Sequence, residues 1–115
     1  MKIRAVLVDD EESARDVLYN LLLRFCPEVE VIARCENLTD AVAVIEKENP
    51  DLVFLDIEMP HYAGFEIVRF FSEIRFEIIF VTAYDQYAIR AFEMAAIDYL
   101  LKPVDIERLK LAVSR

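Results

Sequence analysis

Five short apolar runs punctuate the chain, and each is followed by a stretch with helical spacing. The runs are Ile3–Val8, Val29–Ala33, Leu52–Leu55, Ile78–Val81 and Tyr99–Leu101. They are short and apolar on both faces, as buried parallel strands are. After the first run, Ala14, Val17, Leu18, Leu21, Leu22 and Phe25 form a stripe, with Glu12, Arg15, Asp16, Tyr19 and Asn20 opposite. Leu38, Ala41, Val42 and Ile45 make a second stripe, with Thr39 as its candidate cap and Asn49-Pro50 as its stop. Ile67, Val68, Phe71 and Ile74 predict a third helix. Ala88, Ala91, Phe92 and Ala95 predict a fourth, and Ile106, Leu109 and Val113 begin a fifth.

This (βα)5 alternation predicts an α/β domain with a doubly wound, mostly parallel five-stranded sheet. Helices cover both faces through right-handed crossovers. Ligands in such folds bind beyond the carboxyl ends of the strands. Asp9, Asp10, Asp56 and Thr82 all fall at or just past predicted strand ends.

Composition narrows the function classes. The 115 residues suit one domain with one core. At 57% hydrophobic and 30% charged, the balance is that of a globular chain and not a disordered one. The net charge of -9 argues against contact with nucleic acid or anionic lipid. No apolar run approaches the roughly 18–20 residues that span a bilayer. Met1-Lys2-Ile3-Arg4 leads straight into a strand and lacks the features of a signal peptide, so the expected compartment is the cytoplasm. Cys26 and Cys35 form no CxxC motif and read as reduced structural thiols. Gly64 is the single glycine, which excludes a glycine-rich phosphate loop. Any phosphate chemistry must therefore rest on side chains and a metal. The chain stops inside its last helical pattern, and the expectation is a piece of a longer protein.

The candidate chemistry lies in the acids. If the first and third strands are parallel, Asp9, Asp10 and Asp56 meet at one edge. Like charges packed that closely repel and call for a cation. An all-oxygen donor set suits a hard divalent ion such as Mg2+. One of the three could also act as a nucleophile toward a phosphoryl group. Each residue alone has a plainer explanation. Asp9 and Asp10 could open a helix, Asp56 could form a turn before Met59-Pro60, Thr82 could be a strand residue, and Lys102 could be solvated. His61 reads as a loop residue in preference to a metal ligand. Together, one position after each of strands one, three, four and five is hard to attribute to chance.

The set Asp9-Asp10, Asp56, Thr82-Ala83 and Lys102-Pro103 resembles the receiver domain of two-component response regulators over essentially the whole chain. Phe54-Leu55-Asp56-Ile57-Glu58-Met59-Pro60 and Asp98-Tyr99-Leu100-Leu101-Lys102-Pro103 carry the resemblance most specifically. The stretch from Val81 to Phe92 is similar to the LytR/AlgR subfamily, whose members usually continue into a C-terminal LytTR-type DNA-binding effector domain. The resemblance implies a flavodoxin-like strand order of 2-1-3-4-5.

It also implies a set of roles. Asp56 is the phosphoacceptor and takes its phosphoryl group from a sensor histidine kinase. Mg2+, or Mn2+ in its place, is held by Asp10, Asp56, Asp9 through water, and the main-chain carbonyl of Glu58. Lys102 and the Thr82 hydroxyl bind phosphoryl oxygens, and the small Ala83 leaves access. Lys102-Pro103 is a cis peptide. Thr82 and Tyr99 form the switch, with Tyr99 rotating inward from an exposed rotamer. That motion would reshape the surface of the fourth helix, fifth strand and fifth helix, on which a phosphorylation-dependent homodimer is expected. Glu58 and Tyr84 occupy the positions that tune the lifetime of the acyl phosphate. Ala63 departs from the acid or Asn common before the glycine, so a looser loop is expected there. The domain would not be an enzyme beyond its own phosphorylation and dephosphorylation. Two rivals stay open: a degenerate receiver that never accepts phosphate, and a Mg2+-dependent phosphohydrolase. Against the second, the aspartates are adjacent and the chain is short.

Overall fold

The computed structural model describes residues 2–115. Its elements run β1 (Ile3–Val8), α1 (Glu12–Phe25), β2 (Val29–Cys35), α2 (Leu38–Glu48), β3 (Leu52–Leu55), a 3-10 segment (Gly64–Arg69), β4 (Glu77–Thr82), α3 (Ala88–Glu93), β5 (Asp98–Leu101) and α4 (Ile106–Val113). The strands pair in parallel in the order β2-β1-β3-β4-β5. This is the flavodoxin-like order that the resemblance implies.

The mainly apolar strands feed two cores, one on each face of the sheet. Side chains alternate across a strand. Val6, Val8, Val53, Leu55, Ile78 and Phe80 therefore face α2, the 3-10 segment and α3. Ala5, Leu7, Leu52, Phe54, Ile79 and Val81 face α1 and α4. Cys26 lies buried in the second core and Cys35 in the first. Burial raises both thiols, Cys35 to about 11, which keeps them protonated and inert.

Several expected elements differ in detail. Strand β2 runs on through Arg34 and Cys35, because these pair with Leu7 and Val8. The cap of α2 is Asn37 and not Thr39: the helix starts at Leu38, and the Asn37 side chain accepts from the Asp40 N–H at 2.8 Å. The helix stops at Asn49, which adopts a left-handed conformation (φ 48°) ahead of Pro50.

The predicted third helix is a 3-10 turn followed by irregular chain. Its stripe is rich in β-branched and aromatic residues, which are weak helix formers. Aromatic contacts serve it instead: Tyr62 meets Phe70 edge-on at 5.2 Å, and Phe71 meets Phe76 at 5.4 Å. The fourth predicted helix is short. Ala95, which was expected on its apolar stripe, is left-handed (φ 61°) and follows the Met94 cap. Of the predicted stripe only Ala91 is buried; Ala88 and Ala95 are exposed and Phe92 is 81% exposed, so most of the face expected to be buried is open.

Asp98 ties the last helix to the sheet. Its carboxylate receives Arg108 from α4 and Arg115 from just beyond α4, both at 3.1 Å.

Candidate functional site

Strand register decides which side chains meet. Val8 lies opposite Leu55, and Leu55 opposite Phe80. The next residues, Asp9 and Asp56, therefore leave the sheet side by side. The ladder continues just far enough to fix their backbones: the Asp9 N–H donates to the Cys35 carbonyl and the Asp56 N–H to the Val8 carbonyl. Both aspartates are buried, whereas Asp10 is exposed. One carboxylate oxygen from each of Asp9, Asp10 and Asp56 lies within 4.8 Å of the others.

Lys102 reaches this cluster from the end of β5. Its Nζ donates to Asp9 Oδ2 at 2.7 Å and to Asp56 Oδ2 at 3.2 Å. Thr82 lies opposite Leu101, and the Lys102 N–H donates to the Thr82 carbonyl at 2.8 Å. The Lys102-Pro103 peptide is cis, as the resemblance implied.

The second oxygens are also engaged. Asp56 Oδ1 accepts from the Ile57 N–H at 2.7 Å, and Asp9 Oδ1 from the Glu11 N–H at 3.0 Å. Asp9 is thus a turn former ahead of α1, whose cap position is Glu11.

The electrostatics follow from this packing. Burial and the neighbouring Asp9 charge hold the Asp56 carboxyl above its ordinary value, with Lys102 and the Ile57 N–H opposing them. Burial pulls the Lys102 ammonium down, but its bond to Asp9 and the two carboxylate charges outweigh that and leave it raised. Lys102 is therefore a fixed positive charge between two acids. Each carboxylate offers about four acceptor directions, more than these partners use. The all-oxygen set thus retains donor capacity for a hard divalent cation.

The rest of the predicted residues surround this centre. Thr82 is fully buried, and its hydroxyl accepts from the Tyr84 N–H at 3.4 Å. Ala83 beside it is exposed. Tyr99 is half-buried; its ring packs against Phe80, and its hydroxyl donates to the Tyr84 carbonyl. The expected starting point for Tyr99 was an exposed rotamer, and the observed ring is instead turned in toward the core. Burial raises the Tyr99 hydroxyl, so it stays a donor. His61 is exposed on the loop after β3 with φ 71°, away from the acid cluster's ligand set.

The glycine loop is tight, which corrects the expectation drawn from Ala63. A Cβ on Gly64 would lie 2.1 Å from the Asp56 carbonyl oxygen, and the Gly64 N–H donates to the Ile57 carbonyl at 2.7 Å. Glu66 secures the turn by accepting from the Ala63 N–H at 2.8 Å.

Two residues that border the site, neither of them part of the acid and lysine cluster, were missed from sequence. Arg15, read as part of a solvated face, donates to the Asp9 carbonyl at 2.6 Å. Tyr87 donates its hydroxyl to Glu58 Oε2 at 2.8 Å. That bond raises the Tyr87 hydroxyl above its ordinary value. Neither contact could be read from residue type: Arg15 in α1 turns back to a main-chain carbonyl, and Tyr87 meets Glu58 only because the chain before α3 faces the loop after β3.

Comparison with known proteins agrees with this geometry. Residues 5–114 match the response regulator receiver domain family. An uncharacterized response regulatory protein of Vibrio cholerae is 47% identical over 98% of this chain and 48% of its own length. The transcriptional regulatory protein BtsR of Escherichia coli K12 is 42% identical over 98% of this chain and 47% of its own. The chain thus spans about half the length of the curated relatives it matches. Among solved structures, the response regulatory domain of mrkE from Klebsiella pneumoniae superposes with a TM-score of 0.87 at 27% identity, covering 96% of this chain and 92% of that one. A LuxR-family DNA-binding response regulator from Staphylococcus aureus superposes with a TM-score of 0.86 at 28% identity, covering 97% and 96%. With an acid pair after β1, a single acid after β3 and a lysine after β5 converging at one sheet edge, this chain belongs to the response regulator receiver domains of two-component systems.

Proposed function

We propose that the chain is a phosphorylation switch in which Asp56 accepts a phosphoryl group from the phosphohistidine of a sensor kinase. The observation that carries this reading is Lys102 Nζ bridging Asp9 and Asp56, with Asp10 beside them. An Asp56 oxygen bonds to phosphorus as the N–P bond of the donor breaks, and Asp56 becomes an acyl phosphate. Lys102 pairs with the incoming phosphoryl oxygens as a point charge. Thr82 offers its hydroxyl to another, and Ala83 leaves the approach open. Asp9, Asp10, Asp56 and the Glu58 carbonyl are the donors that would hold Mg2+, or Mn2+ in its place. Bound there, such an ion neutralises charge on the transferred group. The domain turns over no external phosphate ester.

The switch uses Thr82 and Tyr99. A phosphoryl group that draws the Thr82 hydroxyl from the Tyr84 N–H also biases the loop whose carbonyl holds Tyr99. The consequence falls on α3, β5 and α4, where Ile89 and Phe92 are exposed. On that face we assign a phosphorylation-dependent homodimer. The relatives named as transcriptional regulators support a C-terminal DNA-binding effector, and the Val81–Phe92 segment favours the LytR/AlgR type. The cytoplasm is the matching compartment; among the described residues no helix is long and apolar enough to cross a membrane.

Intact mass after incubation with acetyl phosphate and Mg2+ tests the reading. One phosphoryl adduct, lost in Asp56→Ala and in EDTA, is the expected result. An unlabelled wild-type chain would favour a degenerate receiver. Sustained release of phosphate from an external ester would favour a hydrolase.

A further inference from the structure

The mouth of the site is bridged by a bond that the switch scheme does not use. Tyr87, just before α3, donates to Glu58 on the loop after β3 at 2.8 Å. The Tyr87 ring is not free to follow Glu58 about. It packs edge-on against Phe65 at 5.7 Å and against Tyr84 at 6.3 Å. Phe65 is itself buried and packs against Phe80 of the core at 5.1 Å, and the Arg90 guanidinium stacks over its ring at 4.4 Å. The anchor is therefore rigid on one side, while Glu58 is an exposed residue on a loop.

Glu58 lies two residues past Asp56. Asp10, the exposed carboxylate of the acid cluster, belongs to the donors that would hold the metal. Glu58 is the exposed carboxylate next along the chain from Asp56 whose side chain lies outside that set. Hydrolysis needs a water to bond to phosphorus as the bond between phosphorus and the Asp56 oxygen breaks. The electron pair returns to the Asp56 carboxylate, and inorganic phosphate leaves. The water's proton must pass to a base and then to solvent, and a free Glu58 carboxylate can take it.

We propose that Tyr87 is a positioning residue that pins Glu58 at the rim of the site and so lengthens the life of the acyl phosphate. Resting on the phosphoacceptor reading above, this assigns a role to a side chain outside the phosphoryl-binding set. Removing the hydroxyl while keeping the ring frees the carboxylate and leaves the Phe65 and Tyr84 contacts in place.

The test is a double-mutant cycle on the rate of phosphate release from the acetyl-phosphate-labelled protein. The chains are wild type, Tyr87→Phe, Glu58→Gln and the double variant. Tyr87→Phe should lose its label about three- to tenfold faster, well below the roughly 100-fold of a fully positioned base. Its labelling rate should stay near that of the wild type. In the Glu58→Gln background the Tyr87 substitution should have no effect, because a released amide is no base. An equal acceleration in both backgrounds would overturn the proposal, since Tyr87 would then act through packing alone. So would an unchanged or slower release in Tyr87→Phe. A wild-type chain that takes no label overturns the phosphoacceptor reading together with this one. Labelling without coupling overturns this one only.

Discussion

Asp56 combines two roles that conflict. As a nucleophile it must be ionised, yet it is 6% exposed and sits beside Asp9. Its carboxyl is raised by burial and by that neighbour. A folded value above the unfolded one means that ionisation costs stability. The cost is absent below the ordinary carboxylate range, grows through it, and is complete above the raised value. Asp56→Asn keeps an acceptor for Lys102 and removes the charge. Thermal unfolding without divalent metal should show this variant melting a few degrees above wild type at neutral pH, with the gain vanishing in acid. Added Mg2+ should raise the wild-type midpoint more than the variant's. Equal midpoints at neutral pH would mean Lys102 fully offsets the crowding. Gly64 is the second demanding residue. Its missing Cβ is what lets the loop lie on the Asp56 backbone. Gly64→Ala should lower stability by about 1–3 kcal/mol, the usual range for overpacking, measurable by urea unfolding. At this scale Asp9, Asp10, Asp56, Thr82 and Lys102 were legible because residue type and strand end are both local facts. Tyr87 and Arg15 were not: the partner of Tyr87 lies 29 residues away on another loop, and the partner of Arg15 is a main-chain carbonyl that no residue type marks.

Elements were legible in proportion to their own periodicity. Helix α1 carries a full stripe and forms as expected over 14 residues. The third stripe misled, since Ile67, Val68, Phe71 and Ile74 have helical spacing yet poor helix propensity. Val68 is exposed and Phe71 turns to Phe76, so side-chain packing satisfied the apolar groups without an α-helix. The fourth stripe misled in another way. Spacing identifies an apolar face but not whether the fold covers it, and Phe92 stands open. Helix α3 also ends awkwardly. Ala95 is left-handed at φ 61° and exposed, a conformation that costs a non-glycine residue about 1–2 kcal/mol. Ala95→Gly relieves that strain against the added freedom of the unfolded chain. A net gain of about 0.5–1 kcal/mol in urea unfolding is expected. A loss would mean that the Ala95 methyl contributes packing that outweighs the strain.

For the whole molecule, the two faces of the sheet divide the work. The central strands are buried on both sides while the edge strands β2 and β5 are partly exposed, and the acid cluster with Lys102 lies at the carboxyl edge of the centre. One side of that edge is fixed by α1 through Arg15 and the Asp9 turn. The other side ends in the Thr82, Tyr84 and Tyr99 bonds that lead to α3 and β5. Phosphorylation at the edge would therefore be read on the α3–β5–α4 face. Phe92→Asp should leave phosphoryl labelling intact and abolish dimerisation induced by beryllofluoride and Mg2+, as seen by analytical ultracentrifugation. A dimer that survives this substitution would move the interface elsewhere. The central claim is that Asp56 becomes an acyl phosphate, and its site can be read chemically. Borohydride reduction of the acetyl-phosphate-treated chain, followed by peptide mass spectrometry, should find homoserine at position 56 alone, and only when Mg2+ is present. Homoserine at position 9 or 10, or none at any position, would contradict the account.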